Sequence, residues 1–186
     1  IEYYSKAIEL SQKGYALSCK VKGEKHADSL KRLRNLVIIY VKVKDYDMAI
    51  ELSQKAYALS CEIFGEKHPD SLAMLDDLVG VYFKAGDYEA ALKIAKRDYA
   101  LNSEVFGEKH MNTLTSLSVI AHIYDEIEDY EMSLEIKEKV YDLSCEVKDE
   151  KDPTTLIALH NLAIAYLRVG ENDLALALGQ KAYYLS

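Results

Sequence analysis

The sequence contains no tryptophan, only two prolines and no apolar run long enough to cross a membrane. It also lacks a basic excess, because 31 acidic residues stand against 23 basic ones and give a net charge of -8. Nucleic-acid-binding proteins usually carry a basic patch or stripe, so nucleic acid is not an expected partner. These absences predict a water-soluble protein that binds neither nucleic acid nor a membrane.

A unit of 42 residues is repeated along the chain. Its most visible mark is the signature Gly-Glu-Lys-His, which begins at Gly23, Gly65 and Gly107. A fourth copy, Asp149 to Asp152, retains only the central Glu-Lys. Self-similarity at such a fixed period indicates an array of repeated structural units.

The apolar residues of one unit predict two helices. They recur three or four residues apart between Pro69 and Lys84, and again from Tyr88 to Phe106. A break at residues 85–87, which include a glycine, separates these two segments, here termed helix A and helix B. Of the 15 tyrosines, thirteen fall in three repeat columns, which favours packing roles for them. Stacked helix pairs predict an all-α fold, an α-α superhelix or solenoid of about nine helices.

The repeat boundaries predict a single array over residues 1–186. Residues 1–22 form a lone helix B of a truncated repeat, and the helix pairs occupy 23–64, 65–106, 107–148 and 149–186. The chain begins with Ile1 rather than methionine, at the start of a helix B, so we expect a fragment of a longer protein.

The signature is expected to end one helix and begin the next. Proline is favoured in the first turn of a helix, which places His68 and Asp152 at the N-caps before Pro69 and Pro153. Aspartate is a strong N-cap residue, so its replacement of histidine indicates a capping column, with Gly65 or its equivalent ending the preceding helix.

A metal site built from His26, His68 and His110 is the alternative interpretation of the signature. Equivalent atoms of successive repeats lie roughly 15 to 20 Å apart, whereas zinc ligands lie about 2 Å from the metal. We therefore expect neither a metal nor another cofactor. His122 and His160, on helix A faces, are left unexplained by this argument.

The cysteines Cys19, Cys61 and Cys145 share one repeat column, where the third copy has Ser103. The same spacing between repeats is too large for disulfide bonds among them. Free thiols favour a reducing compartment, and a cytoplasmic location is the expectation.

One column of small residues contains a misfit, Asp98. The equivalent residues are Gly14, Ala56, Val140 and Ala182. The Asp98 carboxylate is expected either to turn toward solvent or to pair with Lys96, Arg97 or a neighbouring helix. We interpret it as a structural residue, with a role in partner binding as the alternative.

No catalytic set is visible in the sequence. Carboxylate pairs such as Asp76–Asp77 and Asp125–Glu126 are expected to lie on exposed helices, and no serine or cysteine has a recognisable base or phosphate loop nearby. Enzymatic activity is therefore not expected.

The core pattern resembles a tetratricopeptide repeat, through Leu159, Leu162, Ala163, Tyr166, Gly170, Ala175 and Ala182. The repeat length and the run Gly-Glu-Lys-His-Pro-Asp-Ser-Leu at residues 65–72 are similar to the kinesin-light-chain type. The resemblance covers the whole chain and implies a non-catalytic binding scaffold whose helices A line a concave groove.

The resemblance also implies which side chains face the groove. These are Lys31, Arg34, Asn35, Lys42, Asp76, Asp77, Phe83, Lys84, His122, Asp125, Glu126, His160, Asn161, Ile164 and Arg168. Their charges run from basic to acidic, with apolar positions between and beyond. The expected ligand is a peptide with acidic residues at one end, basic ones near its middle and an apolar anchor.

Three functions remain open at this point. The first is a scaffold that holds an extended peptide or a partner helix in the groove. The second is a structural module that self-associates end to end through exposed terminal repeats and forms a homo-oligomer. The third is a regulatory or sensing region of a larger multidomain protein.

Overall fold

The computed structural model describes residues 2–185 and contains, within that range, nine α-helices and no strand. They are α1 (Glu2–Lys22), α2 (Ala27–Lys42), α3 (Tyr46–Phe64), α4 (Pro69–Ala85), α5 (Tyr88–Phe106), α6 (Met111–Glu126), α7 (Tyr130–Val147), α8 (Pro153–Arg168) and α9 (Asn172–Leu185). The all-α prediction is confirmed, and the helix pair predicted from the spacing corresponds to α4 and α5. Ile1 and Ser186, the outermost residues of the predicted array, lie outside the described residues.

The chain divides within α5 into two compact units, Ile1–Ile94 and Ala95–Ser186. In the first unit, α1 packs against α2, α2 against α3, and α3 against α4. In the second unit, α6 packs against α7, α7 against α8, and α8 against α9. Each packed helix therefore covers the apolar stripe of the next one along the chain, as expected of an array of helix pairs.

One leucine column forms the centre of every helix A. Its members Leu33, Leu75, Leu117 and Leu159 are between 0% and 5% exposed. Burial of one leucine side chain contributes about 1.5 to 3 kcal/mol. The period of the repeat thus places an equivalent stabilising contact in each helix pair.

The histidines of the signature cap the helices A, as predicted. The Nδ1 atoms of His26, His68 and His110 accept hydrogen bonds from the amides two residues later, at 3.1 to 3.2 Å. In the fourth copy the Asp152 carboxylate accepts the equivalent bond from Thr154 at 2.9 Å. Each cap satisfies an amide that the first helical turn leaves without a partner.

The residue four positions before the cap is aromatic in the second and third copies and lysine in the first and fourth. The Phe64 ring stacks on His68, and Phe106 stacks on His110, with centroids 4.9 and 4.6 Å apart. In the fourth copy Lys148 replaces the phenylalanine and lies 3.3 Å from the Asp152 carboxylate. In the first copy Lys22 pairs with Asp28 of the first helical turn.

The glutamate of the signature joins successive helices B. Glu24 accepts a hydrogen bond from the Tyr15 hydroxyl at 3.1 Å and pairs with Lys55 at 2.6 Å. The Lys55 ammonium also lies over the Tyr15 ring, 5.7 Å from its centroid. The fourth copy repeats the pairing, with Glu150 2.8 Å from Lys181.

The lysine of the signature makes a second link of the same kind. Lys25 pairs with Glu62 at 2.8 Å, and Lys109 pairs with Glu146 at 2.6 Å. Exposed ion pairs contribute only about 0.2 to 1 kcal/mol each. Their repetition at equal spacing nevertheless fixes the register of one repeat on the next, which extends the predicted role of the signature beyond a turn and a cap.

A second ladder uses the tyrosines of the helices A. Each hydroxyl bonds to a polar side chain 28 residues earlier, on the preceding helix B. The pairs are Gln12–Tyr40, Gln54–Tyr82, Lys96–Tyr124 and Glu138–Tyr166. The hydrogen bond to Glu138 raises the pKa of Tyr166 to about 12. These contacts agree with the packing roles predicted for the tyrosine columns.

The turn between helix A and helix B requires a left-handed residue. Gly86 and Gly170 supply it at φ of 80° and 87°, whereas Lys44 and Glu128 occupy the same column at 63° and 62°. A side chain in this conformation costs about 1 kcal/mol relative to glycine.

We expect Lys44→Gly and Glu128→Gly each to raise the free energy of unfolding by about 1 kcal/mol, measured by urea denaturation. Gly86→Ala is the matched control and should lower the free energy of unfolding. A rise in that free energy for Gly86→Ala would contradict the requirement for a left-handed residue in this column.

Candidate functional site

Asp98 is buried, 2% exposed, and is not turned toward solvent. Its carboxylate accepts hydrogen bonds from the Ser116 hydroxyl of α6 at 2.5 Å and from the Asn102 amide at 3.0 Å. Asn102 also donates to the Ser116 oxygen at 3.2 Å. The structure therefore pairs Asp98 with a neighbouring helix, one of the two alternatives predicted.

The partner of Asp98 follows a rule that holds between other repeats. Residues 18 apart meet where a helix B contacts the next helix A: Gly14 with Arg32, Ala56 with Met74, Asp98 with Ser116, and Val140 with Ala158. A β-carbon added at Gly14 would lie 3.3 Å from the Arg32 guanidinium, so the contact there is close. The Asp98–Ser116 contact is thus the polar equivalent of a packing contact between the same two repeat columns in other copies. Comparison of the column of Asp98 with the column of Ser116 could have identified this contact from the sequence.

The prediction that Asp125 lies exposed is wrong. Its side chain is 7% exposed, and its carboxylate lies 2.6 Å from Lys137, 2.7 Å from the Ser133 hydroxyl and 3.0 Å from Arg168. Burial alone would raise the pKa of Asp125, but the hydrogen bonds from Lys137 and Ser133 and the two positive charges outweigh it. The pKa of Asp125 therefore lies below its usual value, and Asp125 joins α6, α7 and α8.

Arg168 is held by the same cluster. Its guanidinium lies over the Tyr130 ring, 5.5 Å from the centroid, in addition to its contact with Asp125. The equivalents of Asp125 in the other copies are Val41, Phe83 and Leu167, so an ion cluster replaces an apolar contact in this repeat. The Phe83 ring, for its part, lies half-buried against Tyr88, with centroids 5.5 Å apart.

Arg34 and Asp77 bind each other within the first unit. The guanidinium Nη2 donates to Asp77 Oδ1 at 2.9 Å, and Nε donates to Oδ2, so the pair is bidentate between α2 and α4. This bond raises the pKa of Arg34. Arg34 and Asp77 were expected to attract groups of opposite charge on a ligand. In the structure they form a salt bridge with each other instead.

Asp76 keeps an exposed side chain beside this pair. The protein around its carboxylate nevertheless displaces enough water to raise its pKa, and the charge of Asp77 raises it further. A carboxylate that is accessible and yet poorly hydrated is available to a basic group of a partner.

The other predicted groove residues lie at the surface of their helices. Those classed as exposed are Lys31, Asn35, Lys42, Lys84, His122, Glu126, His160, Asn161 and Ile164. Within each unit they project from helices A, and the structure brings Asn161 to a cavity that the sequence did not reveal.

This cavity has a volume of about 320 Å³ and lies between α6, α7 and α8 in the second unit. Thr115 and Ser118 of α6 and Ile157, Ala158 and Asn161 of α8 contribute to its wall. Its size falls in the lower range of ligand pockets.

Neither a metal centre nor a membrane span is found among the residues that the structure describes. No group of three or more histidine, cysteine, aspartate or glutamate side chains could hold an ion there. No helix in the described part is both long and apolar enough to cross a bilayer. All three cysteines are free thiols, as the spacing argument predicted.

A family model described as tetratricopeptide repeat matches residues 32–97 and 70–146. These matches together cover more than half of the chain. The chain belongs to the tetratricopeptide repeat family. No curated protein matches its sequence.

The fold of this tetratricopeptide repeat array is similar to the folds of several solved structures. A Podosopora anserina protein designated a kinesin light chain, with nearly identical TPR-like repeats, is 22% identical, with coverage of 98% of this chain and 86% of that one and a TM-score of 0.84. BtubC (BKLC) from P. vanneervenii is 16% identical over 98% of this chain and 72% of its own, with a TM-score of 0.80. Both comparisons confirm the predicted α-α superhelical fold.

A structure of a protein with a bound factor is also similar. The Rap protein complexed with competence and sporulation factor is 12% identical, with a TM-score of 0.70. The match covers 99% of this chain and 49% of the Rap protein. At this identity the likeness concerns the fold.

Proposed function

We propose that the chain is a non-catalytic scaffold that binds an extended segment or a helix of a partner protein on its helix A surface. The cavity between α6 and α8 carries this proposal, because it is a preformed concavity with both apolar and hydrogen-bonding side chains in its wall. Binding in the cytoplasm, as a module of a larger protein, is part of the same proposal.

Exposed apolar side chains of α8 support it. Ile157 of the cavity wall is 60% exposed, and Ile164 and Leu167, further along the same helix, are 37% and 59% exposed. Exposed apolar side chains grouped on one surface are typical of an interaction site. The Rap protein complexed with competence and sporulation factor provides a precedent for ligand binding by a protein of similar fold.

The contacts within the chain narrow the set of binding residues. Arg34, Asp77, Asp125 and Arg168 hold helices together. A partner would therefore meet the exposed members of the predicted set, with Asn161 in the cavity wall and Asp76 as an accessible charge. Groups that are already paired contribute less to binding, because a partner must displace their present contacts.

Peptide display on the immobilised chain tests the proposal. We expect peptides selected on the wild type to lose affinity at least tenfold on Ile157→Glu, which places a charge at the cavity rim. Leu176→Glu is the matched control, because Leu176 of α9 is 63% exposed and lies outside the cavity wall. Selected peptides that bind the Ile157→Glu variant as well as the wild type would contradict the proposal.

End-to-end self-association is the second candidate function. Leu10, Leu17 and Val21 of α1 are 60% to 70% exposed, and Tyr183 and Tyr184 of α9 are 78% and 83% exposed. Sedimentation equilibrium over a range of concentrations separates the two functions. A monomer at all concentrations would exclude self-association, whereas a mass that rises with concentration and falls on Leu176→Glu would favour it.

A further inference from the structure

Two glycines of the chain lie within helices and lack the usual structural reasons for a glycine. Five of the eight glycines have a positive φ, between 80° and 93°, which favours glycine. Gly14 is helical, and a β-carbon added there would lie 3.3 Å from the Arg32 guanidinium. Gly80 and Gly179 meet neither condition, because their backbone is helical and an added β-carbon would find no atom within 4 Å.

Gly80 is also the exception in its repeat column. The equivalent residues of α2, α6 and α8 are Ile38, His122 and Ile164, and all three are exposed. The column therefore has room for a side chain. A glycine inside a helix is less stable than an alanine, because it loses more backbone entropy on folding. The fold alone would thus favour a larger residue at position 80.

A close approach by another chain explains Gly80, whereas the fold does not. Gly80 is exposed and lies inside α4, where the missing side chain leaves the helix backbone bare. Glycine is the residue found where a ligand or a second backbone comes close to the main chain. We therefore looked for side chains beside Gly80 that would select the approaching chain.

The part of α4 before Gly80 carries an excess of negative charge. Among residues 69–77 the charged side chains are Asp70, Asp76 and Asp77, and none is basic. The hydrogen bond to Asp77 raises the pKa of Arg34, and the charges of Asp77, Asp76 and Asp70 raise it further. One guanidinium of α2 thus stands against three carboxylates of α4.

Asp76 presents an accessible carboxylate beside Gly80. It is exposed and precedes Gly80 by one turn, which places it about 6 Å along the axis on the same face of α4. Desolvation and then the charge of Asp77 raise the pKa of Asp76, although Arg34 lowers it. A cation brought by a partner would therefore stabilise the ionised form of Asp76.

We infer that a segment of the partner crosses α4 with its backbone against Gly80 and a lysine or arginine side chain on Asp76. The bidentate Arg34–Asp77 pair holds α4 to α2 next to this contact. The charge of Asp76 selects a basic segment, since electrostatic complementarity contributes more to specificity than to affinity. This inference rests on the proposed function and deepens it, because it assigns the charge of the partner segment and a contact in the first unit.

Peptide display with a depletion step tests the inference on the full chain. A random library is first depleted on Gly80→Leu, whose side chain blocks the approach to the backbone, and the remaining peptides are then selected on the wild type. We expect the selected peptides to contain lysine or arginine and to bind Gly80→Leu roughly tenfold more weakly or worse. On Asp76→Asn we expect a loss of about threefold, the size of an exposed ion pair.

Gly80→Ala separates binding from folding. The alanine should raise the denaturation midpoint, because its β-carbon meets no other atom, and should still lower the affinity for the selected peptides. Ala58→Leu and Glu51→Gln, at exposed positions of α3, are the matched controls for bulk and for charge and should leave the affinity unchanged. Circular dichroism verifies that each variant folds.

A selection that yields no peptide dependent on Gly80 would overturn the inference. So would selected peptides that bind Asp76→Asn as tightly as the wild type, or a lower denaturation midpoint for Gly80→Ala, since the glycine would then serve the fold. A mass that rises with concentration and is returned to that of a monomer by Gly80→Leu would overturn it as well, because a second copy would then be the occupant.

Failure here is distinguishable from failure of the proposed function. Peptides selected without depletion that bind Gly80→Leu as well as the wild type, and lose affinity on Ile157→Glu, would remove the contact at Gly80. The same peptides would leave the scaffold function in place.

Discussion

The Ser116→Met variant is expected to lose about 3 kcal/mol or more of its free energy of unfolding. Methionine removes the hydroxyl that donates to Asp98 and leaves a carboxylate that is 2% exposed without its α6 partner. Removal of a hydrogen-bond partner from a buried polar group costs about 1 to 3 kcal/mol and more for a charged group, and the larger methionine side chain adds the cost of overpacking, about 1 to 3 kcal/mol. Urea denaturation of the purified variant measures the loss, and a variant as stable as the wild type would contradict the role assigned to the Asp98–Ser116 pair.

A compensating variant distinguishes lost pairing from simple overpacking. Asp98→Ala/Asn102→Ser/Ser116→Met imports the residues that the preceding repeat uses, Ala56, Ser60 and Met74. We expect its stability to return to within about 1 kcal/mol of the wild type, because well-packed apolar residues can replace a buried polar group. Ser118→Ala is a control on the same helix, since the Ser118 hydroxyl bonds only within α6 among the described contacts. A triple variant less stable than Ser116→Met would show that the repeats do not exchange this contact.

Asp125→Asn is expected to cost about 3 kcal/mol at neutral pH. The substitution leaves Lys137, whose side chain is 12% exposed, without its carboxylate and weakens the hold on Arg168. The exposed Glu135 of α7 provides a matched control, and Glu135→Gln should change stability by less than about 0.5 kcal/mol. An Asp125→Asn variant no less stable than Glu135→Gln would exclude a structural role for the cluster.

The same variant should remove part of the dependence of stability on pH. The pKa of Asp125 is lowered from 3.8 in the folded chain, so the folded state favours the ionised form. Its contribution is present above the unfolded value and is lost as the pH falls through the folded pKa. We therefore expect the stability difference between wild type and Asp125→Asn to be constant at neutral pH and to shrink in acid. A difference that grows on acidification would contradict the assignment.

The fold was predictable because its determinants are periodic. Apolar spacing at Pro69–Lys84 and Tyr88–Phe106 predicted α4 and α5, and the change from His68 to Asp152 indicated a capping column. Contacts that recur in every repeat leave the same trace in several copies. That repetition makes their physical cause visible in a single sequence.

The site was less predictable because its contacts depend on single copies. Charge alone does not distinguish a residue that awaits a ligand from one already paired, so Arg34 and Asp77 resembled binding residues. Asp125 carried a usable signal, because its column is otherwise apolar. The cavity beside Ala158 arises from an absence of side-chain volume, which becomes evident only when the helices are placed together.

The contrast between repeats is the basis on which we propose a binding site. The signature residues Glu24 and Lys25 and their copies tie neighbouring helices together, and they recur because each junction needs the same contacts. Residues around the α6–α8 cavity differ from their equivalents, for example Ala158 where an earlier copy has Met74. The part of the chain that does not repeat is thus the part that we assign to partner binding.

Site-specific photo-crosslinking in the cells that make the protein is the most direct test of partner binding at the α6–α8 cavity. A benzophenone side chain at Ile157, on the rim of the cavity, is compared with one at the exposed Glu135 of helix B. We expect the probe at Ile157 to give a discrete cross-linked partner and the probe at Glu135 to give none. A partner that cross-links from Glu135 but not from Ile157 would contradict it.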